Sequence, residues 1–142
     1  MTELHPIQLR GIVVKNLSIT VNDPKVAADY EGQVVFGMQR GVSEFERGRT
    51  SFAVGLRVDV KPETKDESEP SFEINVELSG QFTVDFDQFD FDDLPRWSEI
   101  NAPLLLIPYV REQVYGLALR AGVKGMMIPL VISRPARKKV VD

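Results

Sequence analysis

Hydrophobic and polar residues alternate in two consecutive stretches in the middle of the chain. Every second residue is apolar from Phe52 to Val60, and the same pattern returns from Phe72 to Phe86. A period of two places apolar side chains on one face of a β-strand and polar side chains on the other. A polar segment bracketed by prolines, residues 61–71, separates the stretches. The pattern predicts a long antiparallel hairpin with a bend or bulge at Ser79-Gly80, and another element must cover its apolar face.

Two further β-rich stretches lie upstream of this hairpin. In residues 9–21, Leu17, Ile19 and Val21 alternate with polar residues, and the run stops at the turn signal Asn22-Asp23-Pro24. A shorter stretch, residues 34–36, is flanked by glycines. Together with the hairpin, these stretches predict four strands.

The element that covers the sheet is predicted downstream, as a helix over residues 104–121. Asn101 precedes Ala102-Pro103 as a helix cap would, Pro108 should kink the first turns, and Gly122 fits the end. One helical stripe is apolar: Ile107, Val110, Val114, Leu117 and Ala121. Other faces also carry apolar or small residues: Leu105, Tyr109, Gly116 and Leu119. Such a helix packs either against a second subunit or deep within one domain. The preceding residues, 87–100, are interpreted as an acidic, aromatic connector.

Composition narrows the function classes. A chain of 142 residues fits one domain, and we expect residues 1–6 and 133–142 to be flexible ends. The formal net charge of −4 does not favour nucleic-acid binding, which requires a surplus of Lys and Arg. There is no cysteine, so thiolate zinc sites are excluded. The single histidine, His5, lies in the expected flexible end, which does not favour a serine–histidine triad or a multi-histidine metal site. No apolar run approaches the roughly 20 residues of a membrane helix, and no secretory signal is visible.

Candidate chemical groups have ordinary structural explanations. The aspartate-rich residues 85–93 lack the glycine turn and terminal glutamate of an EF-hand, so we expect a solvated connector without metal. The basic residues after Ser133 suit a solubilising end better than a nucleic-acid contact. An aromatic group forms either a hydrophobic recognition site or ordinary core: Phe82, Phe86, Phe89 and Phe91. We expect no catalytic residue, no metal site and no cofactor.

A family resemblance enters at the helix. Pro103, an apolar run and then Pro108-Tyr109, Arg111-Glu112 resemble the main helix of the SecB family of bacterial export chaperones. Outside the helix, residues 7–21 resemble the family's first strand, the predicted hairpin its central strands, and residues 126–132 its Leu-x-Leu-(Ala)-Pro-Val segment. The resemblance covers roughly residues 7–132.

The resemblance implies an α+β fold and a chaperone function. Each subunit would consist of a four-stranded antiparallel sheet and a long kinked helix. The helix would pack at the oligomer interface, and the subunits would assemble as a dimer of dimers. Such proteins hold unfolded polypeptide clients in hydrophobic grooves without ATP and pass them to the Sec translocase motor in the cytoplasm. By position, the implied client-binding residues are Tyr30, Val34, Phe36, Met126, Ile128 and Leu130. The implied oligomer-interface residues are Ile74, Val76, Leu78, Tyr109, Gln113 and Gly116.

Departures from the family keep alternatives open. The acidic positions that contact the motor fall on the uncharged Asn16, Thr20 and Asn75, and no second C-terminal helix is expected after Ile132. These departures favour a SecB-like chaperone or adaptor dedicated to another client, such as an antitoxin, without Sec coupling. A purely structural oligomeric protein is a further alternative. A small-molecule site would instead require a deep, closed pocket with convergent polar groups.

Overall fold

The computed structural model describes residues 3–64 and 68–124, together with the backbone of residues 136–137. Its strands are β1 (Ile7–Val21), β2 (Val34–Val42), β3 (Ser51–Pro62), β4 (Phe72–Val84) and β5 (Ala136–Arg137). Its helices are α1 (Pro24–Ala28), α2 (Leu94–Ile100) and α3 (Ala102–Arg120), with a 3-10 turn at Phe91–Asp93. The sheet order is β1-β4-β3-β2-β5. The first four strands are antiparallel, which confirms the predicted α+β fold class.

The central hairpin forms as its alternation predicts. β3 and β4 pair in unbroken register from Phe52 opposite Phe82 to Val60 opposite Ile74, and their apolar faces form the middle of the core. The register against β3 is regular through Ser79 and Gly80, so β4 has no bulge at this point.

The irregularities lie instead in β1. Its register against β4 shifts between Leu9 and Gly11, and again between Val14 and Asn16. Each shift inserts one residue and changes which sequence positions face the core. The β1 residues opposite the core-facing positions of β4 are Ile7, Leu9, Ile12, Val14, Leu17, Ile19 and Val21.

Helix α3 covers the apolar face of the hairpin. Leu106 and Ala118 are buried in it, together with four of the five residues of the predicted stripe: Ile107, Val110, Val114 and Leu117. The fifth, Ala121, follows the helix and is half-buried. At its end, Gly122 has a φ of +78°, and the N–H of Val123 donates to Ala118 at 2.9 Å. These contacts confirm Gly122 as the helix-terminating glycine.

The start of α3 differs from the sequence interpretation. Residues predicted as connector form α2, which buries Leu94 and Ser98 one helical turn apart. Because α2 runs almost directly into α3, the backbone of Asn101 is helical and its side chain does not cap α3. The side-chain amide of Asn101 instead donates to the Trp97 carbonyl, at 3.3 Å. Asn101 is the one residue between α2 and α3. α3 itself continues through Pro108.

Candidate functional site

Tyr30 is positioned by α1 and the turn that follows it. Asp23 caps α1 by accepting from the Val26 N–H at 3.2 Å. The Tyr30 ring then lies edge-on to Phe72, with 6.0 Å between centroids, and its hydroxyl donates to the Gln33 carbonyl. The aromatic side chain is thus held at the entrance to β2, half-buried at the rim of the core.

The strand after Tyr30 places a row of apolar side chains at the rim of the core. Val34, Phe36 and Met38 lie opposite β3 residues on the core-facing side of the sheet, and all three are half-buried. We call Tyr30, Val34, Phe36 and Met38 the β2 strip. α3 packs mainly against β4, β3 and β1, so these β2 side chains retain accessible surface. Arg40, the next residue in the row, is 3% exposed, and its Nη2 lies 3.9 Å from Glu99 Oε1.

The β2 strip joins three of the six predicted client-binding residues. Tyr30, Val34 and Phe36 are neighbours in it. Met38 was missed by the sequence analysis, although its spacing of two from Phe36 would have found it. The other three predicted residues, Met126, Ile128 and Leu130, lie outside the described residues.

The predicted interface residues divide into two groups. Ile74, Val76 and Leu78 are at most 1% exposed, within the core under α3. Their side chains have almost no accessible surface in the single chain, and their role in assembly stays a prediction. Tyr109 and Gln113, by contrast, border an open trough between α3 and β1.

The side of α3 that faces away from the sheet carries exposed apolar residues. We call this group the α3 outer face: Leu104, Leu105, Tyr109, Tyr115 and Leu119, each between 39% and 55% exposed. The trough of about 430 Å³ along one side of it is lined by Leu9, Ile12 and Val14 of β1. Gly116 lies one helical turn from Gln113 on the same side as Tyr109. Contiguous exposed apolar surface is typical of interaction sites in small proteins.

The opposite face of the sheet is polar and close to charge-balanced. The uncharged Asn16 and Thr20 pair across β1 and β4 with Glu77 and Glu73. Arg57 pairs across β3 and β4 with Glu77, and its Nε lies 3.3 Å from an oxygen of Asp59. Carboxylates are therefore present on this face, at neighbouring positions to those expected from the family.

The aromatic group noted in the sequence is split between the core and its edge. Phe82 is buried and stacks on Phe52 at 5.2 Å between centroids, so it belongs to the core. The rings of Phe86 and Phe91 have centroids 5.8 Å apart, and Arg47 Cζ lies 4.8 Å from the centroid of the Phe91 ring.

The carboxyl group of Glu31 has a shifted pKa. The Lys124 ammonium hydrogen-bonds to the Glu31 carboxylate, and this bond together with the opposite charge lowers the Glu31 pKa below its usual value of 4.5. The pair ties the end of the α3 region to the turn before β2. Within residues 3–64 and 68–124, no group of three or more His, Asp or Glu side chains is arranged to hold a metal ion.

Comparison with known proteins agrees with this arrangement of sheet and helix. The profile of the family described as "Preprotein translocase subunit SecB" matches residues 2–132. The chain belongs to the SecB family. No curated protein matches. In the described residues, no helix has the length and apolarity required to cross a membrane.

Among solved structures, the SecB fold recurs in the Mycobacterium tuberculosis Rv1957 SecB-like chaperone, in complex with a ChAD peptide from the Rv1956 HigA1 antitoxin. That chain is 18% identical, with a TM-score of 0.65 over 92% of this chain and 94% of that one. A protein of unknown function from Streptococcus agalactiae also matches, at 11% identity and a TM-score of 0.44, over 87% of this chain and 97% of that one. Family and fold place this chain with non-enzymatic SecB-like chaperones.

Proposed function

We propose that this protein is an ATP-independent holdase, which binds unfolded polypeptides and prevents their aggregation. The β2 strip carries the proposal, because Val34, Phe36 and Met38 keep accessible apolar surface beside a well-packed core. Burying about 100 Å² of client apolar surface contributes about 2.5 kcal/mol before ordering costs. Met38 suits varied clients, since a flexible thioether adapts to side chains of different shape.

The proposal includes a homo-oligomer, arranged as a dimer of dimers. The α3 outer face supports this part, because exposed apolar residues on one side of a helix are stabilised by a second subunit. Several strips on one particle would raise the effective concentration of weak sites, so that a long client binds with useful avidity.

Two client classes are compatible with this holdase. Export substrates delivered to the Sec motor in the cytoplasm are the first. A dedicated client such as an antitoxin, without Sec coupling, is the second. Two observations favour the second class: Asn16 and Thr20 are uncharged, and the Rv1957 chaperone was solved with an antitoxin peptide. Calorimetric titration with a purified translocase motor separates them, since only the first class predicts binding.

Aggregation of a refolding model enzyme, measured by light scattering without nucleotide, tests the holdase. We expect suppression at micromolar subunit concentration. Val34→Ser combined with Phe36→Ser should weaken client binding by about tenfold, which corresponds to about 1.4 kcal/mol of lost apolar contact.

The matched control is Val35→Ser. Val35 is 46% exposed on the opposite face of the same strand, so its replacement should leave suppression unchanged. Equal suppression by the double variant and wild type, with both folded by circular dichroism, would contradict a role for the β2 strip. No suppression by wild type at several-fold excess would contradict the holdase and favour a purely structural oligomer.

A further inference from the structure

β2 has two edges, and they are paired very differently. One edge pairs with β3 along the whole strand, from Val34 to Val42. In the described residues, the other edge pairs only at Gln39 and Arg40, with the two residues of β5 in parallel. The backbone beside the β2 strip is thus an edge to which an extended segment of the same chain is already bound.

The C-terminal part of the chain contacts both β2 and the turn that precedes it. Lys124, just after α3, pairs with Glu31 in the turn that precedes the strand. Ala136 and Arg137 pair with Gln39 and Arg40 near its far end. The two contacts are independent of one another, since one joins side chains and the other joins backbones.

Charge supports docking of this end of the chain. The chain as a whole carries a formal charge of −4, but the residues after Ser133 include four cations: Arg134, Arg137, Lys138 and Lys139. A basic segment is attracted to the acidic remainder of the protein, which adds to the backbone pairing of β5.

A client bound at the β2 strip would require the same edge. Extended polypeptides add to an exposed sheet edge through main-chain hydrogen bonds, while alternate side chains occupy the neighbouring apolar surface. The edge N–H and C=O groups at Gln39 and Arg40 cannot pair with β5 and a client strand at once.

We propose that β5 competes with clients for the β2 edge, so that the C-terminal end of the chain limits client binding. This inference rests on the proposed function, because it concerns access to the same strip. The apparent dissociation constant of a client rises in inverse proportion to the fraction of molecules with a free edge. If β5 is docked about two-thirds of the time, its release strengthens client binding by about threefold.

The test removes the backbone donors of β5 in the full chain. The double variant Ala136→Pro, Arg137→Pro has no N–H at either position and cannot donate a backbone hydrogen bond to β2, so the pairing is weakened. Its control, Ala136→Val with Arg137→Gln, loses the same arginine charge but keeps both donors. Two quantities are measured in all three proteins: the dissociation constant for fluorescein-labelled, reduced and carboxymethylated lactalbumin, and hydrogen exchange of the β2 amides.

The proposal expects faster exchange in β2 and at least about threefold tighter binding in the proline variant, with neither change in the control. Unchanged exchange in β2 would overturn docking of β5. Faster exchange with unchanged client affinity would overturn the competition. If no form binds the labelled polypeptide, the holdase proposal fails and the competition fails with it, while faster exchange would still identify β5 as a structural strand.

Discussion

At the scale of single residues, Tyr30 keeps its place in the β2 strip because residue 32 is glycine. A Cβ atom at Gly32 would lie 2.7 Å from the Tyr30 hydroxyl oxygen and 2.9 Å from its Cζ. The ring can therefore fold over this turn and reach Phe72 only while position 32 has no side chain.

Gly32→Ala should displace the Tyr30 ring. We expect loss of the edge-on contact with Phe72, a decrease of about 1 kcal/mol in the free energy of unfolding, and weaker client binding. Gly37→Ala is the matched control, because a Cβ there meets no atom within 4 Å. Ring-proton contacts in NMR spectra and denaturant unfolding measure the two effects; equal behaviour of the variants would contradict this role of Gly32.

The Glu31–Lys124 pair makes a pH-dependent contact. Because the pKa of Glu31 is lowered in the folded protein, the contact is present above the ordinary pKa of 4.5 and is lost as pH falls through the lowered value. Titration of the Glu31 carboxyl by NMR should give a pKa below 4.5, and Lys124→Ala should return it towards that value. An unchanged pKa in Lys124→Ala would show that the contact does not form in solution.

The residue-level reading of the sequence succeeded where a repeating pattern supported it. The alternation in β2 was obscured because Gly37 and Gly41 interrupt it, so Met38 was not assigned to the same row as Phe36. Burial of Ile74 was foreseeable from the hairpin alternation, whereas the resemblance placed it at an interface. In the single chain, Ile74 is buried, as the alternation of apolar and polar residues in the hairpin predicts.

At the scale of secondary structure elements, contact between α3 and the sheet depends on a small residue in β4. A Cβ atom at Gly80 would lie 2.8 Å from Leu106 Cδ2, 2.9 Å from Phe82 Cε2 and 3.2 Å from Leu9 Cδ1. The missing side chain of Gly80 thus leaves the space that Leu106 of α3 occupies.

Gly80→Ala should force these packed side chains apart and lower the free energy of unfolding by about 1–3 kcal/mol, as overpacking does. Gly55→Ala in β3 is the control, since a Cβ there makes ordinary contacts of 3.8 Å, and we expect a neutral or slightly stabilising effect. Urea unfolding measures both variants. A loss at Gly55 equal to that at Gly80 would contradict the close-approach explanation.

The elements were predictable where their periodicity was long and uninterrupted. The β3–β4 hairpin and α3 meet that condition. α2 was missed because Asp residues before Leu94 suggested a solvated connector, although Pro95 in a first turn is a helix signal. In β1, each bulge changes the phase of the apolar positions, so a single alternation does not fit the whole strand.

At the scale of the whole molecule, the described residues include two groups of accessible apolar side chains, the β2 strip and the α3 outer face. The first is proposed for clients and the second for assembly. The resemblance to the family indicated both roles, but only the folded chain separates the exposed Tyr109 from the buried Val76.

Assembly through α3 predicts that Tyr109→Glu lowers the native mass. Tyr109 is 45% exposed beside the trough, and a charge there must be desolvated when the surface is covered. Arg96→Glu, an exposed change on α2, is the control and should leave the mass unchanged. Multi-angle light scattering measures both; an unchanged mass in Tyr109→Glu would contradict an interface at this part of the helix.

Hydrogen exchange with and without a permanently unfolded polypeptide tests the central claim most directly, because it locates the client on the protein. The account predicts slower exchange of the β2 amides from Val34 to Arg40 when the polypeptide is bound, with little change on the polar face at Asn16 or Asn75. Protection confined to other parts of the chain, or none despite binding, would contradict a client site at the β2 strip.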